Sequence, residues 1–514
     1  MVSHSGKTRS AYLSPYNSFK EKLYRCFIVE KLNNAVGFVL LGSGAIIASW
    51  ITVNGGIPAG TIILLAVIGV PIALICLLNL QVGFNIALVV SSLIFIVPRI
   101  SGQYDIPVGP LSDILLLIIL LGLFVNKKNR FETVTTYRSP IFLIVVIWIG
   151  FLLLQTLNPN GPSNTWPLIL RGVIGFAAVF FIFTRLFTTW HSVRLFTYCW
   201  LAIALLAALY AFYQEFVGLP SYDLTWVNRS PKSIGLNFIR GRWRKWSFLS
   251  DVATFGMFMS FAGVFAIVLA AELKDYRKKA LLLIAGLLML VAMTYSGTRT
   301  AIAMTVAGIV MYGLLTIHKK STMLLGISTV MVILAIMYVP YYGSATINSM
   351  RSTFFPTSDP SFNVRVVNKE RIQPYIRSHP IGGGLNTTGP AGEELAPNHP
   401  LAGFPPDSYY MSIALETGYI GLGIVLLVFF TTLWVGIANY SRCRNPVVKA
   451  VYAAYIASFF ALTVAGYAQE SITQLPMRFV FYSCFVLMDR LKYFDEPYEP
   501  AIAQNKLRVL QYER

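Results

Sequence analysis

The chain has 514 residues, 56% of them hydrophobic and only 12% charged, with a formal net charge of +19. Soluble domains carry about twice that charged fraction, and the long unbroken apolar runs exclude a barrel, whose strands alternate. Much of the basic excess sits in short connections, where it sets orientation and meets anionic lipid; it does not call for nucleic acid.

Residues 1–34 are polar and basic (Lys7, Arg9, Lys20, Lys22, Arg25 and Lys31), with no early apolar region or cleavage site. They are expected to form a cytoplasmic segment, with the first span acting as the targeting signal. Apolar runs of the roughly 17–25 residues that cross a bilayer recur along the chain. They fall near 35–52, 59–79, 82–98, 108–125, 140–157, 168–187, 195–217, 251–272, 279–294, 300–317, 323–340, 419–438, 449–467 and 476–490. The expected fold is an all-α polytopic membrane protein of about 12–14 transmembrane helices, with a large periplasmic loop between the later spans. The membrane domain is 35–490, and 491–514 is a cytoplasmic tail.

Basic connections orient these spans. Lys127, Lys128, Arg130 and Arg138, the stretch Arg185 to Arg194, Lys274 to Lys279, His318-Lys319-Lys320, and Arg442 to Lys449 all fall on one side with the N-terminus. The expectation is a bacterial inner-membrane protein with both termini cytoplasmic and two large outer loops, 218–250 and 341–418. The five cysteines (Cys26, Cys76, Cys199, Cys443 and Cys484) avoid these loops and form no CxxC or Cys/His cluster. Neither a disulfide framework nor a metal is expected, and no cofactor.

The outer loops break the charge rule. The first holds Arg229, Lys232, Arg240, Arg242, Arg244 and Lys245 against Asp223; the second holds Arg351, Arg365, Lys369, Arg371 and Arg377 against Asp359, Glu370, Glu393 and Glu394. Arg171 lies just inside the outer end of a span, and Arg299 lies in the short turn Tyr295-Ser296-Gly297-Thr298-Arg299-Thr300. Arginine at the hydrocarbon edge is costly and marks function by default, and its planar fork suits phosphate oxygens. Such a set suits a lipid-linked diphosphate. Headgroup contact is the plainer alternative, notably where Trp243 and Trp246 interleave with the basic cluster.

The second outer loop ends in the most informative stretch, Arg377 to Leu422, a glycine- and proline-rich segment between apolar runs. Asp407 is either an N-cap or a general base. Glu416, nine residues on, would point to the opposite face of a continuous helix, so the two should have different jobs. Arg299 or Arg171 is the expected partner of Glu416. His379 and His399 each precede a proline and are either loop-structural or basic near neutral pH. Gly382-Gly383-Gly384 lacks the GK[ST] ending of a nucleotide loop and reads as a tight turn that only glycine permits.

Three elements carry a resemblance. They are Ser296-Gly297-Thr298-Arg299, the segment from Arg365 through His379-Pro380-Ile381-Gly382-Gly383-Gly384, and Asp407-Ser408-Tyr409-Tyr410 followed by Leu415-Glu416-Thr417-Gly418-Tyr419-Ile420-Gly421-Leu422. With Arg240-Gly241-Arg242 ahead of Asp251, they resemble the bacterial O-antigen ligase and O-antigen or exopolysaccharide polymerase (Wzy-like) superfamily over about residues 240–440.

The resemblance implies a metal-independent, inverting glycosyltransferase. Its donor is a glycan on undecaprenyl diphosphate and its acceptor a hydroxyl at the periplasmic face, with membrane lipids, a chain-length regulator and a flippase as partners. Asp407, Arg299 and Glu416 are then the catalytic candidates. Arg240, Arg242, Arg171, Arg365 and Arg371 are the diphosphate candidates, and His379, Gly382 and Gly384 shape the loop. Ligases carry histidine where this chain has Asp407, which favours a polymerase over a ligase onto lipid A–core. A transporter of lipid-linked glycan is the alternative of another class. It should show midplane charges (Asp113 is the candidate) and repeated halves.

Overall fold

The computed structural model describes residues 35–104, 109–125, 138–162, 166–239, 241–338, 347–348, 351 and 360–495. The protein is an all-α polytopic membrane protein. Among the described residues, seven helices are long and apolar enough to cross a membrane: α5 (Pro140–Leu154, extended to Leu157 by a 3₁₀ turn), α6 (Trp166–Leu186), α7 (Trp190–Phe216), α10 (Val252–Glu272), α11 (Tyr276–Tyr295), α16 (Tyr409–Arg442) and α17 (Pro446–Ala465). Shorter apolar helices accompany them: α2 (Leu80–Leu93), α4 (Gly109–Val125), α12 (Arg299–Leu315) and α13 (Lys320–Tyr338).

Four expected spans do not form as read. The runs at 35–52 and 59–79 make one continuous helix, α1 (Ala35–Leu78), of 44 residues. The polar side chains that suggested a turn bond backward into the helix instead. Thr52 donates to the Ala48 carbonyl at 2.8 Å and Asn54 to the Trp50 carbonyl at 3.0 Å. At 1.5 Å per residue α1 runs about 66 Å, twice the hydrocarbon thickness. The run at 82–98 stops at Leu93 and resumes as the short α3 (Ile96–Ser101). The run at 476–490 forms α18 (Met477–Arg490), which has 14 residues and is buried along nearly its whole length, so it is a core helix.

The centre of the bundle is α10, buried from Val252 to Ala270 except at the partly exposed Ala253. It packs against α7, α11, α12 and α17. Its approach to α11 is close because Gly263 and Gly286 face each other: a Cβ on Gly286 would lie 3.2 Å from the Gly263 carbonyl oxygen.

The first loop is structured. It forms α8 (Ser221–Val227), α9 (Pro231–Asn237) and a hairpin of β1 (Phe238–Ile239) with β2 (Arg242–Trp243), paired Phe238 to Trp243 and Ile239 to Arg242. Arg99 of α3 anchors this loop. It is 2% exposed in its side chain and pairs with Asp223 of α8 at 3.6 Å. It donates to the carbonyls of Ser247 and Leu249 and lies over the Trp226 ring at 4.8 Å. Burial pulls the guanidinium below its usual range, and the Asp223 charge opposes that shift. The pair therefore holds the chain that leads into α10 at a fixed place.

The second loop contains α14 (Pro360–Ser378) and α15 (Gly389–Leu395). Ile372 of α14 packs on Leu401 and Leu415 in a small apolar cluster of its own. All these loop elements lie at one end of the bundle. The basic connections Arg185 to Arg194, Lys274 to Lys279, His318 to Lys320 and Arg442 to Lys449 lie at the other.

Candidate active site

Two couples of elements meet at the loop end. The first joins the basic hairpin to the turn that opens α12. The Lys245 amide donates to the Tyr295 carbonyl at 3.0 Å. Arg244 donates to the Ser296 carbonyl at 2.6 Å, the Leu236 carbonyl at 3.1 Å and the Thr298 hydroxyl at 3.0 Å. Thr298 in turn donates to the Val252 carbonyl at 3.0 Å, tying the turn to the start of α10.

All the acceptors of Arg244 are neutral. Its pKa is lowered to about 10, first by burial, with the neighbouring Arg299 adding to the drop and Asp251 opposing it. Asp251 is itself engaged in capping α10 through the amides of Ala253 and Thr254. Arg299 is the first residue of α12, where the helix dipole adds further positive potential. Two guanidiniums beside a helix N-terminus make a place for an anion.

The second couple joins the glycine loop to a break in α16. Gly418 has φ 70° and ψ −169°, a conformation essentially reserved for glycine. The break frees the carbonyls of Leu415 and Glu416, and the amides of Gly383 (2.8 Å) and Gly384 (3.0 Å) cap them. The corner after α5 holds this loop from behind. Gln155 and Asn158 donate to the Ile381 carbonyl at 3.1 Å each, and Asn160 donates to the Gly382 carbonyl at 3.2 Å. A Cβ on Gly384 would sit 2.6 Å from the Gly161 Cα, so the loop and corner fit only without a side chain there.

The linker between α17 and α18 bridges the two couples, and sequence reading overlooked it. The Ser408 hydroxyl donates to the Gly466 carbonyl at 3.1 Å and the Tyr409 amide to the same oxygen at 3.0 Å. Glu470 accepts from the Ser412 hydroxyl; burial pushes its carboxyl up, and the charge of Asp407 adds to the rise. Gln474 accepts from the Thr254 hydroxyl at 2.6 Å. Arg478 donates through Nε to the Thr473 carbonyl at 2.8 Å. The run Gln469-Glu470-Ser471-Ile472-Thr473-Gln474 is polar between two apolar segments, and that signal was available.

Beside this linker lies a cavity of about 430 Å³ lined by Asp113, Arg171, Asn386, Glu394, Leu475 and Arg478, among others. Arg171 pairs with Asp113, its Nε and Nη2 each 2.6 Å from the carboxylate. Asp113 is five residues into α4 and thus near the helix end, not a midplane charge.

Glu416 accepts from the Thr388 hydroxyl at 2.7 Å, while Arg171, one of its two expected partners, is held by Asp113. Asp407 is not the N-cap: Ser408 is, accepting from the Met411 amide. Asp407 precedes the helix with φ 55°, so helical periodicity does not set its direction relative to Glu416. Glu470 lies within electrostatic reach of both. Arg242 is drawn toward Glu215 of α7, 3.6 Å away, and Lys245 shares that carboxylate at 3.2 Å.

Arg371 is exposed on α14 and does not line the cavity. Arg240 lies outside the described residues, as does the side chain of Arg365. His379 stacks on Tyr375 at 4.0 Å between ring centres, and its Nδ1 is bonded locally to Ser378 and the Tyr375 carbonyl. His399 accepts from the Leu401 amide at Nδ1 and lies 3.1 Å from the Asn160 carbonyl at Nε2. Burial holds its pKa below the usual range. Both histidines therefore fix loops.

Residues 284–426 match the model of a family described as O-antigen ligase. The matched region takes in Arg299, Arg365, Arg371, His379, the glycine loop, Asp407 and Glu416. It leaves out Arg171, the basic hairpin and the linker from Gly466 to Arg478. No curated protein matches the chain.

Proposed function

Starting from the O-antigen ligase family match over residues 284–426, we propose that the protein transfers a glycan from a polyprenyl diphosphate to an acceptor hydroxyl, extending a polysaccharide at the outer face of the bacterial inner membrane. The acceptor oxygen attacks the anomeric carbon, and the bond from that carbon to the diphosphate oxygen breaks. The acceptor proton passes to a carboxylate, and the polyprenyl diphosphate leaves with inversion at the sugar. The observation that carries this reading is the pair Arg244 and Arg299 at the start of α12, where positive charge meets the developing charge of the leaving diphosphate.

Asp407 is the candidate base, and Glu470 beside it is the acidic neighbour that sequence reading missed. Four basic connections at the opposite end of the bundle favour placing the site outside and the termini in the cytoplasm. The carboxylate where ligases carry histidine favours a polymerase.

Asp407→Asn should lower the rate of glycan transfer by about 10²-fold while the protein still inserts. Asp407→His should recover much of it, because histidine is both a base and one of the residues that tolerate φ above zero. Wild-type polymer from Asp407→Asn would move the proton transfer to another group.

A further inference from the structure

A polymerase of the proposed kind has two substrates that each carry a lipid, a diphosphate and a glycan. The pair Arg244 and Arg299 can receive one diphosphate, and neither residue lines the cavity beside the linker. Gly172 and Arg478 line both that cavity and a second, apolar one of about 250 Å³ between α5, α6, α16 and α18, walled by Trp148, Phe176, Phe429, Phe481 and Phe485. The chemistry along the two cavities runs in a fixed order. An aromatic trough comes first, then a guanidinium at the waist, then a polar chamber with Ser112, Asn386 and Glu394.

We propose that this double cavity seats the second lipid-linked glycan, the acceptor, with the first isoprene units of its polyprenyl chain in the trough, its diphosphate at Arg478 and its first sugars in the polar chamber. The inference rests on the polymerase reading above. The order trough, cation, polar chamber is the order of groups in such a molecule. Arg478 has its Nε on a neutral carbonyl, so its charge is available to an anion. Arg171 is neutralised by Asp113 and shapes the chamber wall. Glu394 is exposed and suits sugar hydroxyls.

The waist also offers a variant that removes no bond. Gly172 lies within α6, and nothing stands within 4 Å of where its Cβ would be. Gly172→Phe should therefore fold and fill the space where the two cavities adjoin.

The experiment counts molecules of undecaprenyl diphosphate bound to the delipidated full chain in detergent by native mass spectrometry. The wild type should bind two. Arg478→Gln and Gly172→Phe should each bind one, Arg299→Ala should bind one, and the Arg299→Ala/Arg478→Gln double variant none. Phosphatidylglycerol should displace neither. A single equivalent, unaffected by Arg478→Gln and by Gly172→Phe, would overturn the second seat and leave the glycosyltransferase reading standing. Displacement of one equivalent by phosphatidylglycerol would reduce the cavity to a headgroup site. A wild type that binds no undecaprenyl diphosphate would sink the reading on which the proposal rests.

Discussion

Arg299→Ala is expected to abolish polymer formation in a protein that inserts in normal amount. Arg299 opens α12 beside Arg244, and its charge adds to the lowering of the Arg244 pKa. On the proposed function, an arriving diphosphate would meet this positive charge, most of all when the leaving bond breaks and negative charge grows. Loss of one such donor lowers turnover by about 10²–10³-fold. The neighbouring Arg244 cannot substitute, because its three hydrogen bonds hold the turn and the hairpin together. Arg299→Lys should fall between wild type and Arg299→Ala, keeping the charge but losing the bidentate fork. Gel profiles of surface polysaccharide, read against the amount of membrane protein, check this. Polymer of normal length and amount from Arg299→Ala would place the diphosphate elsewhere.

The second large effect is on folding. Gly418→Ala should destabilise the protein by about 4 kcal/mol or more, the range of exceptional single substitutions. The backbone at Gly418 sits where only glycine is comfortable, and a methyl group there would overlap the Pro380 carbonyl. Relief requires straightening α16 or expelling the loop from Pro380 to Gly384. Either movement uncaps the carbonyls of Leu415 and Glu416 and takes Glu416 from Thr388. Gly313→Ala is the matched control. Gly313 lies within α12 with nothing near its Cβ position, so alanine there should be neutral or stabilising. Thermal melting of the detergent-solubilised variants by size-exclusion chromatography distinguishes them. Equal melting of Gly418→Ala and wild type would show that the break in α16 is not required.

Much of the architecture was legible because lipid imposes a simple rule: long apolar runs become helices. The rule failed where a continuous apolar run carried weak turn residues. Asn54 satisfies itself by bonding back to Trp50, so α1 does not reverse where the sequence suggested it would.

At the site, the motifs behind the resemblance do meet, hairpin with α12 turn and glycine loop with the break in α16. Individual partners were not legible, because they depend on contacts between distant segments. Arg99 directly follows the apolar run 82–98, and nothing local marks it as a buried anchor for Asp223, 124 residues away in sequence. Among the basic hairpin residues, no local signal told Arg242, shared with Glu215, from Arg244, which holds the α12 turn. The Gly466–Arg478 linker shows in the sequence as a polar run between two apolar segments, but its contacts with Ser408, Ser412 and Thr254 depend on distant segments.

The most direct measurement uses the purified protein in detergent with an oligosaccharide repeat carried on undecaprenyl diphosphate. The account predicts a ladder of longer lipid-linked glycans, with one undecaprenyl diphosphate released per repeat joined. The ladder should be absent with Arg299→Ala. A wild-type protein that leaves the oligosaccharide unextended in detergent, yet moves it across the bilayer of liposomes, would contradict the account and make the protein a transporter.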